Sequence, residues 1–405
     1  MCGSNYNKII ILGNGFDLHL GLPTRWSDFV EFYEIIVNEG FEKFRYMKPK
    51  EWSFEEFKKK GSKWNNIDNI ESYLQYALDN VEGDVEKENY KNIIISFIAD
   101  LNKCTMLRLL SGLKRKNNEY KSFSWSDFEH LIEEILDSVD EYVDNLLNRS
   151  HCAEVSVFMN DLLRQVIEGL EYKDERYFSM SYQVNEFNLK TDVLNSKNKF
   201  MDFLFNELIA FTAVYKKYID LIIDHLIQNH LRNSIHIENT LILTFNYTQD
   251  VVLFDDYASN DNRFYVHGKS NKDIIIGISN EQKNEERIRF SKNYMRVYNR
   301  ILDKDEKEVI DNINQINKRI SDQTFSHYYF MGHSLDKIDH SFLRQLFKKN
   351  YYTKTTIFYY NNEDRQKKIF NLYLMVGEEY ITQMLNNGSL EFVEFDKIET
   401  YNFCK

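Results

Sequence analysis

Residues 8–26 read KIIILGNGFDLHLGLPTRW. Ile9 to Leu12 form an unbroken aliphatic run, the pattern of a short strand buried on both faces. Gly13, Gly15, Gly21 and Pro23 then break the run into a loop. A helix is expected from about Thr24 to Val37, with Phe29, Phe32, Tyr33 and Ile36 on one face. Strand, glycine loop and helix open a parallel α/β unit. The expected fold class is therefore α/β, with a Rossmann-like, mostly parallel sheet.

Further strands are expected at Leu241–Phe245, Arg263–Val266, Ile274–Ile276, Ser326–Met331, Thr355–Tyr360 and Leu372–Val376. Between the first strand and these lies a long stretch with helical spacing. Its apolar faces run through Ile67–Leu78, Leu131–Val139, Val155–Ile167 and Met201–Ile222, the last with looser spacing towards its end. The core is expected in two pieces, 1–39 and 236–405, with 40–235 as a mostly helical insertion or subdomain. The mixed charges of Asn284–Arg319 predict a solvated helical face or a small lobe. The tetrapeptide Trp-Ser-Asp-Phe occurs at 26–29 and 125–128, too little to establish a repeat.

Composition narrows the partners. The chain has 51 Lys and Arg against 63 Asp and Glu, a net charge of -12, so its surface as a whole does not steer it to nucleic acid or anionic lipid. Cys2, Cys104, Cys152 and Cys404 are too widely spread for a zinc site or a disulfide scaffold, and the cytoplasm fits best. No apolar run is long enough to cross a membrane.

Polar residues recur at the expected strand ends. In the first loop, Gly13 and Gly15 permit a tight turn and close approach of a ligand, and their N–H groups can face a phosphate. Asn14 and Asp17 lie beside them, and Asp17 can hold the loop or bind a ribose hydroxyl. The spacing is not the dinucleotide fingerprint, and a purely structural turn is the competing reading. Asn246 ends the second strand and can orient a water or a sugar hydroxyl, or simply cap a helix. His267-Gly268 ends the third, offering a base near neutrality or a structural histidine. Gly332-His333-Ser334 ends the fourth; Ser334 can cap the next helix or bind phosphate, and Asp336 and Asp339 can share a face. At Trp125–Glu129, Asp127 and Glu129 are a weak metal-binding pair, or Asp127 caps a helix. No metal site is expected.

Together, GNGFDLHLGLPTRW, FNYT, the His-Gly segment and GHSLDKIDH resemble the bacterial AbiH family of phage abortive-infection proteins. The resemblance covers roughly 8–38 and 240–345, and Trp-x-Asp-x-Glu at 125–129 is similar to a family feature. It implies antiviral defence, in which the infected cell stops growing or dies before phage is released. A phage-derived trigger and a homo-oligomer fit that role.

More distantly, the order of motifs resembles the sirtuin, or SIR2-like, NAD-binding fold. That resemblance implies NAD as ligand or substrate. It implies that Gly13, Asn14, Gly15, Asp17, Gly21, Pro23, Thr24, Gly268, Gly332, His333 and Ser334 hold the dinucleotide, with Asn246 and His267 catalytic. The chain departs from sirtuins in lacking a four-cysteine zinc module. It carries Asn246-Tyr247-Thr248 in place of Asn-x-Asp, and His333 in place of a smaller residue. These departures argue against protein deacylation and favour hydrolysis of NAD at the nicotinamide–ribose bond. The alternatives are a metal-dependent nuclease or phosphoryl-transfer toxin using Asp17, Asp127, Glu129 and Asp339, or a nucleotide-sensing module without catalysis.

Overall fold

Ile9, Ile10 and Ile11 are fully buried: their strand, β1 (Lys8–Leu12), has a parallel neighbour on each side and a packed core on each face. A computed structural model describes residues 7–20, 22–34, 189–224, 240–248, 262–270, 272–279, 285–292, 325–347 and 353–401, with scattered positions in 83–140, in 294–318 and at 403. The other strands are β2 (Thr240–Thr244), β3 (Arg263–Tyr265), β4 (His327–Met331), β5 (Lys354–Tyr359) and β6 (Leu390–Glu394). They form a six-stranded parallel sheet in the order β3-β2-β1-β4-β5-β6. This is the order of a doubly wound dinucleotide-binding sheet. The chain steps outward one way from β1, then restarts at β4 and steps outward the other way. The switch point therefore lies between β1 and β4, at the carboxyl edge where such sheets bind ligands.

Alternation along the strands builds two cores. Ile9, Ile11, Leu241, Leu243 and Phe330 pack with Leu335, Leu343, Leu346, Leu372 and Met375 on one face. Ile10, Leu12, Ile242, Tyr329 and Met331 pack with Phe16, Phe358 and Phe395 on the other.

The structure alters several expectations. Residues 14–19, read as loop, form a short helix, α1 (Asn14–His19). Leu372–Val376 is not a strand; it ends α4 (Asn362–Val376), whose start is fixed by Asn361 accepting from Asp364 N at 2.9 Å. Leu372 and Met375 are buried while Tyr373 and Leu374 are exposed, a helical spacing. Ile274–Ile276 is not a strand either. Ile274 makes only an isolated antiparallel bridge to Gly268, and Ile275 N donates to His267 O at 2.9 Å. Edge strand β6 is an addition to the expected set.

The expected helix near Thr24 is α2 (Trp26–Glu34). It packs against α3 (Leu189–Tyr218) through Phe29, whose ring centroid lies 5.8 Å from Phe211, 5.2 Å from Tyr215 and 5.2 Å from Tyr218. Tyr218 also donates to Pro23 O at 2.8 Å, fixing the approach to α2. Beyond Tyr218 the helix widens into a π-helical turn, Ile219–Ile223. This accounts for the loosened apolar spacing there, since π turns advance by more residues than α turns. Residues 128–130 and 132–137 are helical. They meet α2 where Trp26 stacks on Phe128 at 4.4 Å, so members of the two Trp-Ser-Asp-Phe segments touch. The apolar faces expected at 67–78 and 155–167 lie outside the described residues.

Candidate functional site

Register brings four strand ends level. Leu12 is paired with Thr244 and with Met331, and Thr244 with Tyr265. Phe245 N bonds to Leu12 O at 2.9 Å and Val266 N to Thr244 O at 2.8 Å, so the ladder runs one residue past the strands. Asn14, Asn246, His267 and His333 follow it directly.

The glycines at the switch point let one backbone cross another. Gly13 N donates to Met331 O at 3.1 Å and Gly15 N to Gly332 O at 2.9 Å. A Cβ on Gly13 would lie 2.6 Å from His333 Cα, and one on Gly15 would lie 2.8 Å from Gly332 O. The Gly13 and Gly15 N–H groups, expected to face a phosphate, thus bond to the end of β4. Gly268 has φ +82, and a Cβ there would meet Asp273 O at 1.8 Å, so its role is to fold the 268–274 loop closely. Asn14 Nδ2 donates to Thr24 O at 3.1 Å and ties the two ends of the first loop together. Gly21 and Asp127 lie outside the described residues.

The polar side chains divide into two clusters. In the first, Asp17 is held on both carboxylate oxygens: Asn246 Nδ2 donates to Oδ1 at 2.8 Å and Thr248 Oγ1 to Oδ2 at 2.9 Å. Asp17 is 2% exposed, and burial raises its carboxyl to about 7 despite the opposing hydrogen bonds from Thr248 and Asn246. Asn246 Oδ1 is buried without a hydrogen-bond partner. Beside this cluster, Ser270 donates to Asp224 Oδ2 at 2.5 Å, just beyond the π turn.

The second cluster lies around Asp339. His267 Nε2 is 3.2 Å from Asp339 Oδ1, and His333 Nε2 is 3.5 Å from Oδ2. Lys292 Nζ is 3.4 Å from Asp339 Oδ1 and 3.1 Å from Glu129 Oε2. Gly277 N donates to Glu129 Oε1 at 3.3 Å. Phe245 presents its ring edge-on to both imidazoles, at 5.3 Å from His267 and 4.4 Å from His333. Burial opposes ionisation of Asp339, but Lys292 and His267 outweigh it and hold the carboxyl well below the usual carboxylate range. Burial raises Glu129 to about 7 against the pull of Lys292, and lowers His333 to about 4.

The division arises where the side chains turn after the strands have ended. Phe245 belongs with Leu243 and Val266 to one core, whereas Asn246 turns towards α1, whose Phe16 belongs to the other. Asn246 and His267, expected to act together, therefore each engage a different carboxylate. Asp336 and Asp339 do not share a face. Asp336 caps the 3-10 turn Lys337–Asp339 and pairs with His130 at 2.9 Å. Ser334 Oγ accepts from Asp336 N at 3.3 Å. Lys292 joins the site from the stretch expected to be a solvated helical face or a small lobe, which buries Arg287 and Lys292. The apolar flanks Phe290 and Met295, both buried, are the sequence signal for it. Among the described residues, no group of three or more His, Cys, Asp or Glu could hold a metal ion, and no helix is long and apolar enough to cross a membrane.

Asp17 gives a measurable pH effect. Its folded value, about 7, lies above the ordinary 3.8, so between these limits the folded state binds the extra proton. The stability it contributes is present at low pH and lost as pH rises through 7. Glu129 acts in the same sense, and His333, lowered by burial, in the opposite sense between 4 and 6.5. The effect of Asp17 is therefore best read as a difference. Asp17→Asn is expected to gain stability relative to the wild type between pH 4 and 7, by up to about 4 kcal/mol. Urea melts of both proteins across that window measure it; a pH-independent difference would exclude a raised Asp17.

A parallel sheet in this strand order, with a glycine crossing at the switch point and ionisable groups at its carboxyl edge, defines a Rossmann-like α/β protein with its candidate site in the usual place. The family model described as Bacteriophage abortive infection AbiH matches residues 9–361, and the chain belongs to that family of anti-phage defence proteins. Comparison with curated proteins and with solved structures gives no match.

Proposed function

We propose that this abortive-infection protein is an enzyme that hydrolyses NAD at the nicotinamide–ribose bond, in the crevice at the carboxyl edge of the sheet. The observation that supports this reading is the pairing of an unpartnered, buried acceptor, Asn246 Oδ1, with a carboxyl held near neutrality, Asp17, at the β1/β2 edge of a doubly wound sheet. A buried acceptor without a donor is costly, and a sugar hydroxyl satisfies it.

In this reading the scissile carbon becomes oxocarbenium-like as neutral nicotinamide departs. Asn246 and Asp17 orient the ribose. A water adds to the carbon and gives its proton to His267. Asp339, 3.2 Å from the imidazole, stabilises the imidazolium that results. The products are nicotinamide, ADP-ribose and a proton.

Incubation of the full chain with NAD at several protein concentrations, with and without lysate from phage-infected cells, tests the proposal. Nicotinamide and ADP-ribose are expected to appear together, and more than proportionally with concentration if copies must associate. Saturable NAD binding with no nicotinamide, even with infected lysate, would instead favour a sensing module.

A further inference from the structure

The cluster around Asp339 holds more ionisable groups than the proposed chemistry uses. Lys292 Nζ reaches Glu129 Oε2 at 3.1 Å, Asp339 Oδ1 at 3.4 Å and His267 Nε2 at 3.4 Å. The side chains of Lys292 and Glu129 are 8% and 7% exposed. Buried charge must be balanced locally, because water is not there to do it. Lys292 and Asp339 balance each other. Glu129 and His267 remain, and the cluster is neutral when the two share one proton: either both are neutral, or the carboxylate faces an imidazolium.

Lys292 is the physical link. It touches both partners of the remaining pair, and Glu129 is fixed against it by the N–H of Gly277. Among the described residues, the ionisable groups set against the imidazole include Asp339, Lys292 and the Tyr247 ring, at 6.1 Å. Glu129 acts on it through Lys292, and His333 through Asp339. Glu129 comes from the helical segment between β1 and β2, whose next residue, His130, pairs with Asp336. Arg287, five residues before Lys292, is bound to Asp137 and Asp140 of the same segment. That segment is thus clamped to both loops that carry the cluster.

We propose that Glu129 and Lys292 are positioning residues that set the ionisation of His267, so that this helical segment governs the protonation state of the imidazole. The raised Glu129 carboxyl agrees with a proton shared at neutral pH. The catalytic consequence rests on the reading of His267 as the base in NAD hydrolysis. The coupling itself does not, because it is measured without substrate.

The test is an NMR titration of the substrate-free full chain with labelled His and Glu side chains. In the wild type, His267 is expected to titrate in two steps, one of them matching the Glu129 carboxyl, as coupled groups do. Glu129→Gln is expected to merge the steps and move the midpoint down, because the Glu129 carboxylate no longer favours the imidazolium. Lys292→Met is expected to move it up by about one unit, since a charge within about 4–6 Å shifts a neighbour by one to three units. Lys292→Arg should leave it near the wild-type value. A single-step His267 curve in the wild type, or a midpoint indifferent to Glu129→Gln, overturns the proposal. The wild-type curve requires no variant to fold, and either outcome stands whether or not NAD is cleaved.

Discussion

His267→Ala is expected to reduce nicotinamide release by about 10²–10⁴-fold, the usual worth of a positioned general base. The loss should fall on kcat rather than KM, because the imidazole receives its proton only as water attacks. Ribose contacts, assigned to Asn246 and Asp17 in the other cluster, are left intact. A control for packing is needed, since the ring lies edge-on to Phe245 and 5% exposed. His267→Gln fills more of that space and cannot act as a base, so it should be as slow as alanine yet melt closer to the wild type. Asp339→Asn alone should also slow turnover, by weakening the imidazolium. Adding it to His267→Ala should cost little further, since groups that act as one unit are not additive. Steady-state nicotinamide release and thermal melts on the wild type and the four variants decide the matter. A His267→Ala protein that cleaves NAD at the wild-type rate removes His267 from the reaction and leaves Asp17 as the remaining candidate.

Much of the sheet was legible because its strands are central. β2 and β4 are buried along their whole length and β1 from Ile9 onward, so each appears as an apolar run closed by polar or glycine residues. The edge strand β6 shows neither feature, being half-buried with alternating polar residues in LEFVE. Short-range apolar runs mislead at Leu372–Val376 because the helix was decided eleven residues upstream, at the Asn361 cap. The glycines at 13 and 15 conceal α1 for a different reason. Glycine disfavours a helix by propensity, but here the crossing with β4 overrides it. Asn246 and His267 could be found because strand ends mark themselves. Their separation into two clusters could not, since it depends on which way each side chain turns after its strand has ended. Nor does one sequence reveal that Glu129 and Lys292, far apart in the chain, come within 3.1 Å of each other.

Gly332→Ala is expected to be among the most destabilising single changes available in the described residues. Two separate costs combine there. Gly332 has φ +67, a conformation that costs an L-residue about 1–2 kcal/mol. In addition, its Cβ would lie 2.0 Å from Phe16 N and 2.5 Å from Gly15 C. Both are backbone atoms, so no side-chain rotation relieves the overlap. The first loop would have to lift off β4, losing the Gly15 N to Gly332 O bond. The sum exceeds about 4 kcal/mol, the range reserved for defects of this kind. Gly388→Ala separates the two costs: it has φ +68 but nothing within 4 Å of its Cβ, so it carries the strain alone. Paired thermal and urea melts should show a small loss for Gly388→Ala and a fall in Tm on the order of 10 °C, or failure to fold, for Gly332→Ala. Equal melting of the two variants would mean that the backbones at the switch point do not cross as closely as described. The switch point between β1 and β4 would then have to be drawn differently.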